Sequence, residues 1–423
     1  MSGPLDGVKV VDFSEVIAGP LAGRLLAEMG ADVIKIEPPW GESWRLTQPF
    51  MPTESRSFIT YNRGKRSLPL DLTKPQAQDI LRRLVPKMDV ALANYRPDVA
   101  ARLGVDYETL SELNPRLIYC ELTAYGRQGP DAHRPGYDMI LQAMTGMMAA
   151  EHKTIDGVPQ WIWSSPVIDT SSGLSMAGCV CAALYARERT GRGQKIETSL
   201  LASALFLMGS RFLQIESRDK DARAKALEEI AEKRAASAPF EEMVAASPGS
   251  RRLLYHGNVY YRVYVTKDGP IGVAVLSDPL RRRLLDALGL NDVSLDPGYD
   301  PDSDEAREYA SALMERAEAA FRQKTSGEWL ALFEQQGIPA GPLRLVEELI
   351  DDPQVQANGL LVEVEHQTAG KVKTMGPLAQ FSDTPFPNAP ASPALGQHTQ
   401  EILLELGYSP EEVNRWRQDG IVG

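Results

Sequence analysis

Apolar positions in the first half of the chain fall into short, β-branched-rich runs separated by stretches of helical spacing. Val8-Lys9-Val10-Val11-Asp12-Phe13, Ala31-Asp32-Val33-Ile34-Lys35-Ile36-Glu37, Asp89-Val90-Ala91-Leu92-Ala93-Asn94 and Leu117-Ile118-Tyr119-Cys120-Glu121-Leu122 each read as a buried strand bounded by turn residues. Helices are predicted between them, from about Leu21 to Met29, with Gly30 as the stop, and from Gln76 to Val85. Strand alternating with helix predicts a parallel sheet in an α/β domain. Met139 to Met148 and Leu200 to Leu213 read as further helices.

Between those two lies a helix, Leu174 to Ala186, that is small or apolar almost all round. Such a helix is buried. Arg187 and Arg189 stand in its last turn, and Gly191 and Gly193 lie past it. Pro166-Val167-Ile168 reads as a short buried strand or the end of one, and Asp169 follows directly.

Beyond Ser199 the pattern changes. Residues 217–236 form a charged helical stretch with i,i+4 charge pairs and little apolar face, which predicts a surface linker helix. Asn258 to Val265 and Ile271 to Val275 flank Lys267-Asp268-Gly269, a hairpin with turn chemistry at Asp-Gly. Helices at Pro279 to Leu288 and Glu305 to Gln323, with a polar loop from Asn291 to Ser303 between them, complete a smaller α+β domain. The predicted organisation is a large Rossmann-like domain over 1–210, a linker over 211–254, a small domain over 255–330 and a return to the large domain over 331–423.

Composition narrows the functional classes. A net charge of −12 over 423 residues argues against general binding to nucleic acid or to an anionic membrane, and favours local basic sites for any anionic ligand. No apolar run is expected to span a bilayer, and the amino-terminal segment lacks the pattern of a signal peptide. Cys120, Cys179 and Cys181 give neither a disulfide framework nor a metal pattern, so a reducing cytoplasm is the expected compartment.

Three stretches carry candidate chemistry. Asp169 stands at the amino end of a buried helix, where it is either a helix cap or a nucleophile whose oxyanion the helix terminus favours. Arg63, Lys65 and Arg66 form a basic cluster, of the kind an acidic protein needs to hold a phosphate-rich ligand. Glu37 ends a strand in a β-α-β unit and invites a dinucleotide reading, but the preceding loop lacks Gly-x-Gly-x-x-Gly, so an NAD-dependent oxidoreductase is the weaker alternative. His398 has no catalytic partner near it in sequence and is read as structural.

These motifs, in this order, resemble the family III CoA-transferases, a family that includes formyl-CoA transferase, the carnitine CoA-transferases and the α-methylacyl-CoA racemases. The resemblance is carried by Asp12-Phe13-Ser14 with Ala18-Gly19-Pro20, by Asn62-Arg63 with Lys65-Arg66-Ser67, by Asn94-Tyr95-Arg96-Pro97, and by Pro166-Val167-Ile168-Asp169 with the helix after it. It implies that Asp169 is the catalytic aspartate. Coenzyme A would be contacted by Asn94, Tyr95, Arg102, Leu72 and Glu37, with Arg63, Lys65 and Arg66 nearby, and Ile17, Tyr137 and Asp138 would orient the substrate. The implied partners are an acyl-CoA and a carboxylic acid. The implied assembly is an interlocked homodimer, and coenzyme A serves as substrate and product with no permanent cofactor or metal.

Against that pattern, residues 217–252 look like an insertion. Formyl-CoA transferases carry an arginine where this chain has Pro38, and a glycine run where it has His256-Gly257-Asn258. Racemases of the family have histidine where this chain has Tyr137, so the resemblance favours CoA transfer over α-carbon racemisation; a CoA-binding protein without activity is the remaining alternative.

Overall fold

The computed structural model describes residues 3–247, 258–300 and 303–423, which pack as two compact units, one of 1–215 with 357–423 and one of 216–356. The predicted His256-Gly257 replacement of a glycine run lies outside the described residues.

The larger unit is built on six parallel strands. In chain order its elements are β1 (Lys9–Asp12), α1 (Ala18–Glu28), β2 (Asp32–Glu37), α2 (Ser43–Leu46), α3 (Arg56–Tyr61), β3 (Arg66–Pro69), α4 (Pro75–Leu84), β4 (Val90–Ala93), α5 (Pro97–Arg102), α6 (Tyr107–Leu113) and β5 (Ile118–Thr123). They are followed by α7 (Asp138–Met144), α8 (Met147–Glu151), the two-residue strands β6 (Thr154–Ile155) and β7 (Val158–Pro159), α9 (Val167–Thr190), β8 (Gln194–Ser199) and α10 (Leu200–Met208). The sheet runs in the order β3-β2-β1-β4-β5-β8. Strand order reverses direction beside β1, so the loops after β1 and β4 diverge at the carboxyl edge, where open α/β sheets hold their ligands.

Both faces of this sheet are covered, which is why its strands read as unbroken apolar runs. On one face Val11, Ile34, Ile36, Leu68 and Ala91 pack under helices that include α4 and the carboxyl-terminal pair Thr399–Glu405 and Pro410–Gln418. On the other, Val10, Val33, Leu92, Ile118 and Cys120 pack under α1, α7, α9 and α10.

Three expectations shift. Helix α1 begins at Ala18 rather than Leu21, because Pro20 lies in the first turn, where its missing N–H costs nothing. The helix predicted from Met139 to Met148 is broken at Gly146, whose φ of +79° separates α7 from α8. Pro166-Val167-Ile168 is not a strand: Val167 and Ile168 are the first turn of α9, a single helix of 24 residues.

By length and composition α9 is long and apolar enough to cross a bilayer, which corrects the expectation that no such run exists. In the fold it is a core helix, with Ile168, Met176, Val180, Ala183 and Leu184 buried and Arg187 bonded to Asp89 at its far end.

The smaller unit is closed by a three-stranded antiparallel sheet. Tyr261–Val265 and Pro270–Ala274 form the predicted hairpin, and Ala340–Pro342 adds beside Pro270–Ala274. That third strand and the helix Ser326–Gln336 extend this unit past the expected boundary at 330, and the chain returns to the larger unit at Ala357. Trp329, Phe321, Phe333 and Tyr264 stack at its centre. The charged stretch is helical from Glu216 to Ala235, with Ala226 its buried residue, as a solvated helix requires.

Candidate active site

Asp169 lies in the first turn of α9, behind an N-cap position that holds Pro166 and supplies no side-chain cap. The cap comes from another element. Asp138, at the start of α7, accepts from the backbone N–H groups of Ile168 at 2.8 Å and Asp169 at 3.0 Å through one carboxylate oxygen. Its other oxygen accepts from the Gln142 amide at 2.6 Å. Gln142 is fully buried and accepts in turn from the Ile162 backbone at 2.8 Å, which ties the segment before α9 to α7. Asp138 therefore performs the capping that the sequence leaves open for Asp169.

Asp169 is partly exposed. Burial of its carboxyl, reinforced by the like charge of Asp138, pushes it up to about 7 from 3.8. Neither carboxylate has an ion-pair partner among the described residues. A carboxyl raised in this way is, once ionised, more basic and more nucleophilic than an ordinary aspartate.

The wall facing α9 is the start of α1. A Cβ built at Gly173 would lie 2.7 Å from the Ala18 carbonyl oxygen and 3.0 Å from Leu21, so only glycine lets the two helices approach this closely. Ile17 is buried at the N-cap of α1. Tyr61, at the end of α3, feels the Asp169 charge: burial first, then that charge, raises its hydroxyl. Its only signal in the sequence was its place immediately before Asn62-Arg63, and the topology, not the spacing, brings it to Asp169. Tyr137 is exposed, next to Asp138.

The residues expected at the coenzyme divide into two groups. Leu72, Asn94, Tyr95 and Arg102 follow β3 and β4 at the carboxyl edge of the sheet. Leu72 is buried, Asn94 and Tyr95 are half-buried, and Arg102 is exposed on α5 without an ion pair among the described residues. Asn94 grips the loop after β1: its carbonyl oxygen accepts from the Glu15 N–H at 2.8 Å and its amide donates to the Glu15 carbonyl at 2.7 Å.

The second group is spent on internal pairs. Lys65 is buried and donates to Asp12, the Pro20 carbonyl and Asn62, all at 2.8 Å. Arg63 is buried against Glu28 at 3.0 Å. Arg66 reaches Asp32 at 2.7 Å, Glu401 at 2.8 Å and Glu405 at 3.0 Å. This corrects the expectation of an open basic patch: the cluster is neutralised because burying a charge requires a partner. Glu37 is likewise buried, held by Arg45 at 2.7 Å and 3.0 Å and by Ser67 at 2.9 Å. It is not free to meet a ribose, which removes the residue on which the dinucleotide reading rested. His398 accepts from the Ser67 N–H at 3.2 Å and starts the helix Thr399–Glu405, the structural role expected of it.

With this geometry in place, comparison with known proteins is decisive. The profile of CoA-transferase family III matches residues 5–399. The chain belongs to the family III CoA-transferases. It is 31% identical to mouse (Mus musculus) succinyl-CoA:glutarate CoA-transferase over 99% of this chain and 90% of that one. It is 34% identical to the succinate–glutarate CoA-transferase of Agrobacterium fabrum, covering 95% and 96% of the two chains, and 33% identical to the acetyl-CoA:oxalate CoA-transferase of Acetobacter aceti, covering 97% of each. Among solved structures, a CAIB/BAIF family protein from Brucella suis aligns with a TM-score of 0.72 at 30% identity over 96% of this chain and all of that one. As a CoA-transferase the protein handles coenzyme A thioesters and carboxylates.

Proposed function

We propose that this CoA-transferase moves coenzyme A from an acyl-CoA to a carboxylic acid through Asp169. The observation that carries the reading is a partly exposed aspartate, raised to about 7, with its capping duty taken over by Asp138. An Asp169 oxygen attacks the thioester carbonyl, the C–S bond breaks, and the CoA thiolate leaves an acyl-aspartyl anhydride. The thiolate attacks the aspartyl carbonyl, which expels the donor acid and forms an aspartyl-CoA thioester. The acceptor carboxylate displaces the thiolate to give a second anhydride, and the thiolate then attacks the acceptor acyl carbon. Acyl-CoA leaves and Asp169 returns as carboxylate. Asn94, Tyr95, Leu72 and Arg102 would border the coenzyme, with Arg102 supplying charge to its phosphates; Ile17, Tyr137 and Asp138 would orient the acyl group.

Mass spectrometry of the protein quenched with acyl-CoA tests this. The peptide carrying Asp169 should gain the mass of an acyl group or of coenzyme A. Transfer proceeding with no adduct on that peptide would overturn the reading.

A second reading, racemisation at the α-carbon of an acyl-CoA, is favoured by one observation: a carboxyl near 7 is also suited to proton transfer. Tyr137 stands where that chemistry would want a histidine. Acceptor-independent deuterium uptake at the α-carbon in heavy water, abolished in Asp169→Asn, would establish it over transfer.

We also propose a cytoplasmic homodimer. Leu174, Tyr185, Phe206, Phe212 and Leu213 are exposed on the larger unit, apolar side chains that a second copy would cover. Sedimentation at falling concentration should show one dimeric species; a folded monomer would refute it.

A further inference from the structure

The loop between β1 and α1 is held in a conformation its own sequence resists. Val16 has a φ of +74°, and it is β-branched, the side-chain type least tolerant of the left-handed region. The backbone around it is gripped at five points. The Ser14 N–H donates to Asp12 at 2.9 Å, the Ser14 carbonyl accepts from Lys35 at 2.7 Å, Asn94 holds both polar groups of Glu15, and the Val16 N–H donates to Glu42 at 3.2 Å. Glu42 is 1% exposed, its second carboxylate oxygen has no hydrogen-bond partner among the described residues, and Lys35 lies 3.4 Å from the first. A carboxylate so costly to bury, aimed at the one amide that fixes an unfavourable φ, has a use for the position.

We infer that Glu42 is a positioning residue for the reaction: it clamps Val16 in the left-handed region and thereby sets Ile17 and the start of α1 against the first turns of α9, where Gly173 meets Ala18. The inference rests on the functional reading above for the chemistry at Asp169, but the clamp itself is a matter of geometry. Released from Glu42, Val16 would relax to negative φ and shift Ile17 and Ala18 against the first turns of α9, where Gly173 meets Ala18. Small displacements of this kind lower turnover steeply because the attacking and accepting groups must be aligned.

The experiment uses the full-length chain with Glu42→Ala, alone and combined with Val16→Gly. Glycine adopts positive φ without strain, so it should keep the loop in place when the clamp is gone. Glu42→Ala should speed hydrogen exchange in the peptide spanning the loop, and should lower kcat about ten- to a hundred-fold with a much smaller change in KM for acyl-CoA. The double variant should regain most of kcat. A merely structural glutamate would lower thermal stability without this kcat-selective loss or its rescue. Unchanged loop exchange, or unchanged kcat, in Glu42→Ala would overturn the inference, as would a double variant no better than the single one. Exchange is read without turnover, so a wild type that transfers to no acid, or full activity in Asp169→Asn, would overturn the functional reading while exchange still judges the clamp.

Discussion

Two groups of carboxylates in the larger unit are treated in opposite ways. Asp12 and Glu37 each face a buried cation, Lys65 and Arg45. Burial alone would raise both carboxyls, but the cations outweigh it and hold them below the usual range. Asp138 and Asp169 have no such cation among the described residues, and Asp169 rises to about 7. The first group is neutralised by cations supplied by other elements of the fold. The second leaves a carboxyl unneutralised. Charge pairing, not burial, separates the carboxyls held low from the one that is raised.

The largest effect should come from removing the unpaired carboxylate. Asp169→Asn should lower transfer about a thousand-fold or more, read as kcat at saturating acyl-CoA. Its stability should move the other way with pH. The raised Asp169 pKa contributes stability that is fully present below the unfolded value of 3.8 and is lost as pH rises through about 7. The variant is spared that loss, so its urea midpoint should gain on the wild type across this window. A gap that stays constant with pH would sink the assignment of a raised pKa.

Breaking the paired side should do the opposite, costing stability first. Lys65→Met leaves Asp12 buried without its cation and should cost about 3–5 kcal/mol in chemical denaturation. A loss of activity with unchanged stability would instead place Lys65 at the ligand.

Asp138→Asn sharpens the comparison at the site itself. The like charge disappears and the cap weakens, so the acid limb of the kcat/KM profile should move below 7, with about 1 kcal/mol of stability lost. An unmoved limb would mean that burial alone sets Asp169.

Gly173→Ala forces a methyl against the Ala18 carbonyl, which as backbone cannot step aside; we expect about 1–3 kcal/mol lost and a fall in kcat. The smallest effect is at the exposed cation. Arg102→Ala should raise KM for acyl-CoA a few-fold, less at high salt. No change at any ionic strength would move the phosphate contact elsewhere.

The alternation of apolar runs and helical spacing was enough to specify the parallel sheet, because strands covered on both faces leave nothing polar in the pattern. The order of motifs was enough to point to the family and to Asp169, which local chemistry already placed at a helix start. Neither could say what each charge faces. Arg63, Lys65 and Glu37 read as ligand contacts because a charged side chain in sequence carries no record of its partner; the partners, Glu28, Asp12 and Arg45, are supplied by other elements in the fold. The same holds for Asp138 capping α9 across thirty residues, for Tyr61 beside Asp169, and for the positive φ of Val16, which no β-branched residue announces. Periodicity reports how much of a segment is buried. Only tertiary packing decides against what, and in the larger unit the difference is that between carboxyls held low by a cation and one raised to about 7.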